Sequence, residues 1–271
     1  FNPQENDLNG LVRNFPEALN NLIAKIGDDK KGLFIVLDDI NGISKTPEFA
    51  DWYKSYVDTA ATRYDYFPVF MMPIGLPEIR DELSRLQPSL MRVFRVVEID
   101  KLSDDEVREF FTKAFDRVNA IITPDALNMM VEASSGLPVL MHEIGDAVYL
   151  RSEGAEIGTI DAAGGIVDAA ERIGKKYLDP KVYRTIRSER YRSILRKLGK
   201  HTDDCFKKTD IEQLLNEQEQ RVFHNFLRKM TNLGIIVSDE EGGRGAYRYV
   251  NKIYPIYISL ESDLFREKHT H

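Results

Sequence analysis

Asp38 and Asp39 close an uninterrupted apolar run, Gly32-Leu33-Phe34-Ile35-Val36-Leu37, and packing alone gives no reason for two adjacent carboxylates at that point. A parallel strand buried on both faces has this composition, and the C-terminal edge of an open parallel sheet is where α/β proteins bind ligands. A carboxylate there suits Mg²⁺, which keeps several waters and takes only one or two protein carboxylates beside phosphate oxygens. The same residues also fit a plain Asp turn after a buried strand, and both readings stand at this point. A second set of side chains has a different chemistry. Gln218, Gln220, Arg221, Asn225, Arg228 and Lys229 lie on the polar side of the segment 217–232, with Arg244 and Arg248 shortly after it. Such a set can hydrogen-bond phosphates and base edges. Glu217, Glu219, Glu240 and Glu241 lie nearby and oppose a phosphate.

The elements that must position Asp38 alternate between helix and strand. Asn14 caps a helix carrying Leu19, Leu22, Ile23 and Ile26 on one face. A helix opening at Thr46-Pro47 buries Phe49, Tyr53, Tyr56 and Ala60. The apolar run Phe67 to Ile74 reads as a second buried strand, closed by Gly75; Leu76-Pro77 then opens a helix to Leu86, and Val93 to Ile99 reads as a third strand. The first hundred residues are therefore expected to be α/β with a parallel sheet.

After Asp100 the strands stop. Ser103-Asp104-Asp105-Glu106 is a capping box for a helix with Val107, Phe110, Phe111 and Ala114 on one face, and Thr123-Pro124 starts a second helix to Ala133. Ser135-Gly136 ends it, Leu137-Pro138 begins a third reaching about Arg151, and a fourth spans Asp161 to Tyr177. Three further helices are expected at Ser188 to Leu198, Thr209 to Asn216 and Glu217 to Asn232, the last with a stripe of Val222, Phe223, Phe226, Leu227 and Met230. Ile235 to Val237 and Tyr247 to Val250 flank a Gly-rich turn as a hairpin, and Ile256 to Leu260 reads as a last strand. Helix, helix, helix, hairpin is the order of a winged helix.

With 42% apolar and 30% charged residues in 271, the chain suits a water-soluble protein of two or three domains. No apolar run approaches the roughly 20 residues of a membrane-spanning helix, so no membrane partner is expected. One cysteine, Cys205, excludes an intramolecular disulfide and an all-cysteine zinc site, and points to a reducing cytoplasm. Charge is uneven. Residues 1–175 carry 18 Lys and Arg against 30 Asp and Glu, a net of −12, whereas residues 176–271 carry 19 against 14, a net of +5. The basic last third suits an acidic partner, although a small excess of Lys and Arg is also ordinary on a solvated surface.

Three local matches make the chain resemble the AAA+ ATPases, and within them the STAND-like and archaeal origin-initiator-like branch. They are the Walker B-like strand ending in Asp38-Asp39, the strand end Pro73-Ile74-Gly75-Leu76-Pro77-Glu78 followed by Pro88-Ser89-Leu90-Met91-Arg92-Val93-Phe94-Arg95, and Ser134-Ser135-Gly136-Leu137-Pro138, which looks like the GxP turn of STAND lids. The resemblance covers the whole chain and implies a partial P-loop NTPase core at 1–100, a helical lid at 101–177 and a winged-helix domain at 178–271. It further implies ATP and Mg²⁺ as cofactors. Asp38 would be the Mg²⁺ carboxylate, Asp39 the residue polarising the attacking water, Arg92 or Arg95 an arginine finger for a neighbouring subunit, and Gly136 and Pro138 would border the nucleotide.

Several features depart from that pattern. Pro73, Ile74 and Gly75 stand where a polar sensor is usual, and no arginine accompanies Gly136-Leu137-Pro138, where His142 is the nearest polar ring. No G-x-x-x-x-G-K-[ST] occurs, and neither Lys45 nor Gly164-Gly165 has the context to replace it. The expectation is therefore a chain truncated upstream of Phe1, with a degenerate ATPase as the alternative. Two function classes follow. One is an ATP-dependent switch working as a homo-oligomer or with a regulatory protein partner. The other is a non-catalytic module for double-stranded DNA or assembly, with Gln220, Arg221, Arg228, Lys229, Arg244 and Arg248 as its contacts.

Overall fold

The computed structural model describes residues 14–26, 31–152, 154, 156–201 and 203–267. The chain divides into two compact units, 1–99 and 100–271.

In the first unit, β1 (Leu33–Leu37) pairs in parallel with β2 (Val69–Pro73), Leu33 facing Val69 and Leu37 facing Pro73. Helices α1 (Phe15–Ile23), α2 (Pro47–Arg63) and α3 (Pro77–Leu86) supply the core. Leu19, Phe49, Tyr53, Tyr56, Met71, Ile79, Leu83 and Leu90 form it, with Leu33, Ile35 and Leu37 packed against them. Each helix has a proline in its first turn, where the absent N–H is one that no helical carbonyl would accept.

Four sequence expectations change here. Strand β1 is not buried on both faces: Phe34 is 63% exposed and stacks on Phe70, 61% exposed, at 5.4 Å, while the alternate residues face the core. The segment 93–99 forms no strand: Val93 is still in the αR region where the 3-10 turn closes, and Ile99 is 90% exposed. Its β-branched residues have the propensity for a strand, but a ladder also needs a paired edge, and propensity alone does not provide one. Leu22 is exposed rather than in the core, and Asn14 makes no side-chain cap bond.

The second unit has two cores. The first gathers α4 (Asp104–Asp116), α5 (Pro124–Ser134), α6 (Pro138–Arg151) and α7 (Thr159–Ile173) around Phe111, Met130, Leu140, Ile144, Ile157 and Ile173. A short parallel pair, β3 (Ile121–Ile122) and β4 (Glu156–Ile157), ties the loops before α5 and α7. The capping box of Ser103 and Glu106 forms as read, with the Ser103 N–H donating to Glu106 Oε2 at 2.8 Å. Helix α7 passes directly into a π-helical segment, Gly174–Tyr183, which leads to the second core. The helical run expected to Tyr177 thus continues past it, α-helical to Ile173 and π-helical beyond.

The second core contains α8 (Glu189–Leu198), β5 (Cys205–Lys207), the one-turn α9 (Lys208–Glu212), α10 (Glu217–Asn232), β6 (Ile236–Ser238), β7 (Ala246–Tyr249) and α11 (Ile253–Glu267). The strands form an antiparallel sheet of order β5-β7-β6. Helix α10 ends in a Schellman motif: Gly234 has φ +67°, and the Ile235 N–H reaches the Met230 carbonyl at 3.0 Å.

The expected last strand at 256–260 is instead part of α11. Asn251 Oδ1 accepts the N–H groups of Ile253 and Tyr254 at 3.1 Å, and Pro255 sits in the first turn. Ile253 belongs to the first core, Tyr257 and Ile258 to the second. The Tyr257 ring rests on Gly174, where an added Cβ would lie 2.1 Å from it, and its hydroxyl donates to Asp179 Oδ1 at 2.6 Å.

Glu219 caps α10 from its third position, is only 3% exposed, and pairs with Lys197 at 2.5 Å. Burial by itself raises its pKa, but hydrogen bonds from Lys197, Ser193 and the Asn216 N–H outweigh burial and hold the carboxyl below its usual value. A lowered folded-state pKa gives stability that is present above the unfolded value of about 4.3 and is lost as pH falls through the folded one. Glu219→Gln is therefore expected to flatten the acid limb of the stability curve below about pH 4. Lys197→Met, which leaves the carboxylate buried and unpaired, is expected to cost about 2 kcal/mol at pH 7 by urea unfolding.

Candidate functional site

The ends of β1 and β2 are stitched together immediately beyond the sheet. The Ile74 N–H donates to the Leu37 carbonyl at 2.9 Å, and the Ile40 N–H to that of Ile74 at 3.0 Å. Ile40 turns into the core and Ser44 is buried beneath, its hydroxyl donating to the Ile40 carbonyl at 2.6 Å. This leaves Asp38 and Asp39 facing solvent at the C-terminal edge of the pair.

Their geometry is defined by one neighbour that the sequence did not single out. Asp38 Oδ1 accepts the Asp39 N–H at 2.9 Å. Asp39 has φ +52°, a left-handed conformation that Asp and Asn tolerate better than most side chains. Asn41 Nδ2 donates to Asp39 Oδ1, and Asn41 Oδ1 accepts the Leu76 N–H at 2.8 Å. Asn41 therefore fixes the acidic turn to the start of α3. A Cβ on Gly75 would meet the Asn41 side chain at 3.2 Å and Ile40 at 3.1 Å, so the approach of the two strand ends uses that glycine.

Among the described residues no cluster of three or more His, Cys, Asp or Glu could hold a metal by itself. What the edge offers is a solvent-facing carboxylate, Asp38, with Oδ2 uncommitted to the turn bond, beside Asp39. That donor set fits a Mg²⁺ that brings water and phosphate oxygens as its other ligands, and does not fit a cation that needs an all-protein cage. Arg92, at the end of a short 3-10 turn, and Arg95 are both exposed in the same unit. Arg95 lies in the 93–99 segment, which is not a strand.

The 135–138 turn belongs to the second unit. Ser135 and Gly136 have φ +52° and +68°, and Pro138 is the first residue of α6. Gly136 has a packing reason of its own: a Cβ would fall 2.3 Å from the Leu102 carbonyl oxygen. His142 packs edge-on against Phe110 at 5.2 Å.

The side chains of the basic surface divide into those on the exposed face of α10 and the hairpin and those bonded to carbonyls of other segments. Arg221, Asn225 and Arg228 are exposed on one face of α10, joined by His224, which the sequence reading passed over although its spacing places it there. Arg244 and Arg248 are exposed on the hairpin. Gln220 instead donates to the carbonyls of Glu212 and Leu215 at 3.0 and 3.1 Å, holding α9 against α10, and Lys229 reaches the Thr185 carbonyl at 3.5 Å. Glu219, expected to repel phosphate, is withdrawn into its pair with Lys197.

No protein-family model and no curated protein matches the chain. Solved structures do. The Walker-type ATPase of Pyrococcus abyssi superposes with a TM-score of 0.55 at 15% identity, over 89% of this chain and 66% of that one. The Aeropyrum pernix ORC2 protein, solved as ADPNP-ADP complexes, superposes with a TM-score of 0.58 at 11% identity, over 96% and 71%. At these identities the likeness is one of fold alone: a mixed α/β, largely helical architecture. The chain spans slightly under two thirds of the Pyrococcus protein's length. Among the described residues no helix is long and apolar enough to cross a membrane.

Asn41→Ala removes the acceptor of the Leu76 N–H and the donor to Asp39 together. It is expected to cost about 1 kcal/mol and to speed amide exchange at Leu76 about fivefold, leaving exchange in α2 unchanged.

Proposed function

We propose that this chain belongs to an ATP-dependent molecular switch of the AAA+/STAND type. The observation that carries the reading is the Asp38-Asp39 turn at the C-terminal edge of a parallel strand pair, within a fold shared with a Walker-type ATPase and with a protein solved with ADPNP and ADP. Asp38 holds the Mg²⁺ that accompanies the nucleotide, Asp39 orients water, and Arg92 or Arg95 reaches phosphate in a neighbouring copy. Residues 1–100 form the nucleotide-binding core, 101–177 the lid with Gly136 and Pro138 at its nucleotide-facing turn, and 178–271 a winged helix. No G-x-x-x-x-G-K-[ST] loop lies among these 271 residues, so the residues named here account for the metal and the gating and not for the phosphate cradle. Bound Mg²⁺-ATP would supply the charge and the bond energy; the residues here position and gate it.

Titration of a fluorescent ATP analogue into this chain, and into the natural gene product read from its start codon, tests the reading. The gene product is expected to bind in a Mg²⁺-dependent manner. Asp38→Asn is expected to weaken that binding at least tenfold with Mg²⁺ and to have no effect in EDTA. Equal binding by wild type and Asp38→Asn in Mg²⁺ refutes the assignment.

A second reading, contact with double-stranded DNA through α10 and the hairpin, is favoured by the exposed stripe of Arg221, His224, Asn225 and Arg228 and by the withdrawal of Glu219. Each arginine that neutralises a phosphate contributes about −0.9 to the log–log salt slope. Arg221→Ala and Arg228→Ala are each expected to lower that slope by about one, and Gln220→Ala to leave it unchanged. Salt-independent binding, or none, leaves the protein-packing role for this domain.

A further inference from the structure

Three segments far apart in sequence meet at the Ser135-Gly136 turn. On one side, the Leu102 N–H donates to the Gly136 carbonyl at 2.9 Å, while the Leu102 oxygen lies where a Gly136 Cβ would be. On the other, the Lys252 N–H donates to Ser135 Oγ at 3.2 Å. The Lys252 ammonium contacts Glu132 Oε1, in the last turn of α5, at 2.7 Å and Asp204 Oδ2, just before β5, at 3.1 Å. Lys101 Nζ reaches the Val250 carbonyl at 3.4 Å. From there the bonds continue into the sheet: the Tyr249 N–H to the Asp204 carbonyl at 2.9 Å and the Val250 N–H to that of Ile235, just before β6, at 3.1 Å.

We infer that this junction is a conformational relay, in which a displacement of the 101–102 segment passes through the Ser135-Gly136 turn and Lys252 to β7 and α10. The turn has little slack. Two consecutive residues are left-handed, Gly136 is in contact with Leu102, and its neighbour Ser135 carries the bond to Lys252. Segment 101–102 directly follows the point where the chain leaves the α/β unit, after Ile99. Lys252 is a positioning residue: it joins one core to the sheet of the other. The relay rests on bonds within residues 100–271 and is independent of what the α/β unit binds.

Site-resolved amide exchange on the whole chain tests it. Gly136→Ala pushes on Leu102, and is expected to speed exchange at Tyr249 and Val250 about tenfold while Ala162, bonded to Gly158 in α7, is unchanged. In a Ser135→Ala/Lys252→Gln background the same change is expected to be felt at Leu102 only, and with Lys252→Arg the response at Val250 returns. A response confined to Leu102 in the otherwise wild-type chain, or an equal acceleration at Ala162, overturns the relay. Should Gly136→Ala not fold, Ser135→Ala keeps the main chain of the turn and alone must raise exchange at Val250; unchanged rates there overturn it as well.

Discussion

The contact of Tyr257 with Gly174 is the constraint on which the arrangement of residues 100–271 depends. Helix α7 has to turn into the π-helical segment at Gly174, and the ring fills the space that any other residue's Cβ would need. Tyr257 is fully buried, meets Tyr183 edge-on at 6.0 Å, and bonds Asp179 within the π-helical segment. Burial first, and Asp179 second, push its phenol well above the usual range, so the hydroxyl remains a neutral donor at any physiological pH. Because Ile253 one turn earlier lies in the other core, α11 spans both cores. Each fully buried side chain of this size contributes on the order of 2 kcal/mol. The orientation of the second core is therefore set by ordinary apolar packing, with one glycine as its geometric condition.

What could be read from the sequence follows from where the determining interactions lie. Helices α4, α5 and α10 announce themselves through local chemistry, a cap and an acid three residues on or a proline after a threonine, and their starts fall where those residues place them. The 93–99 and 256–260 segments have similar β-branched composition and were both read as strands. Their fates are decided by pairing in one case and by a cap in the other. Asn251 with Pro255 was the available signal for α11. For 93–99 there was none, since the presence of a partner edge is not a local property.

The candidate site shows the same division. Two carboxylates after an apolar run are visible as letters, but their attachment through Asn41 to Leu76 spans 35 residues and appears only in three dimensions. On α10, helical spacing identified the exposed arginines. It gave no means of separating Arg221 from Gln220, whose amide is spent on two carbonyls, or Glu217 from Glu219, whose carboxylate is buried. Polar residues one or two positions apart differ in function according to which carbonyls and cations lie beneath them.

The left-handed backbone of Asp39 has a consequence for how this position drifts over generations. Single-nucleotide changes of an aspartate codon reach Asn, Gly and His, the residues that together with Asp best accept such a conformation. They also reach Glu, Val and Ala, which accept it less readily. Selection for folding alone thus tolerates residues that keep the turn without the acid. Asn is the one of these that keeps both the turn and an Oδ1 acceptor for Asn41, so by that single change a lineage can lose the carboxylate and retain the architecture that presents it.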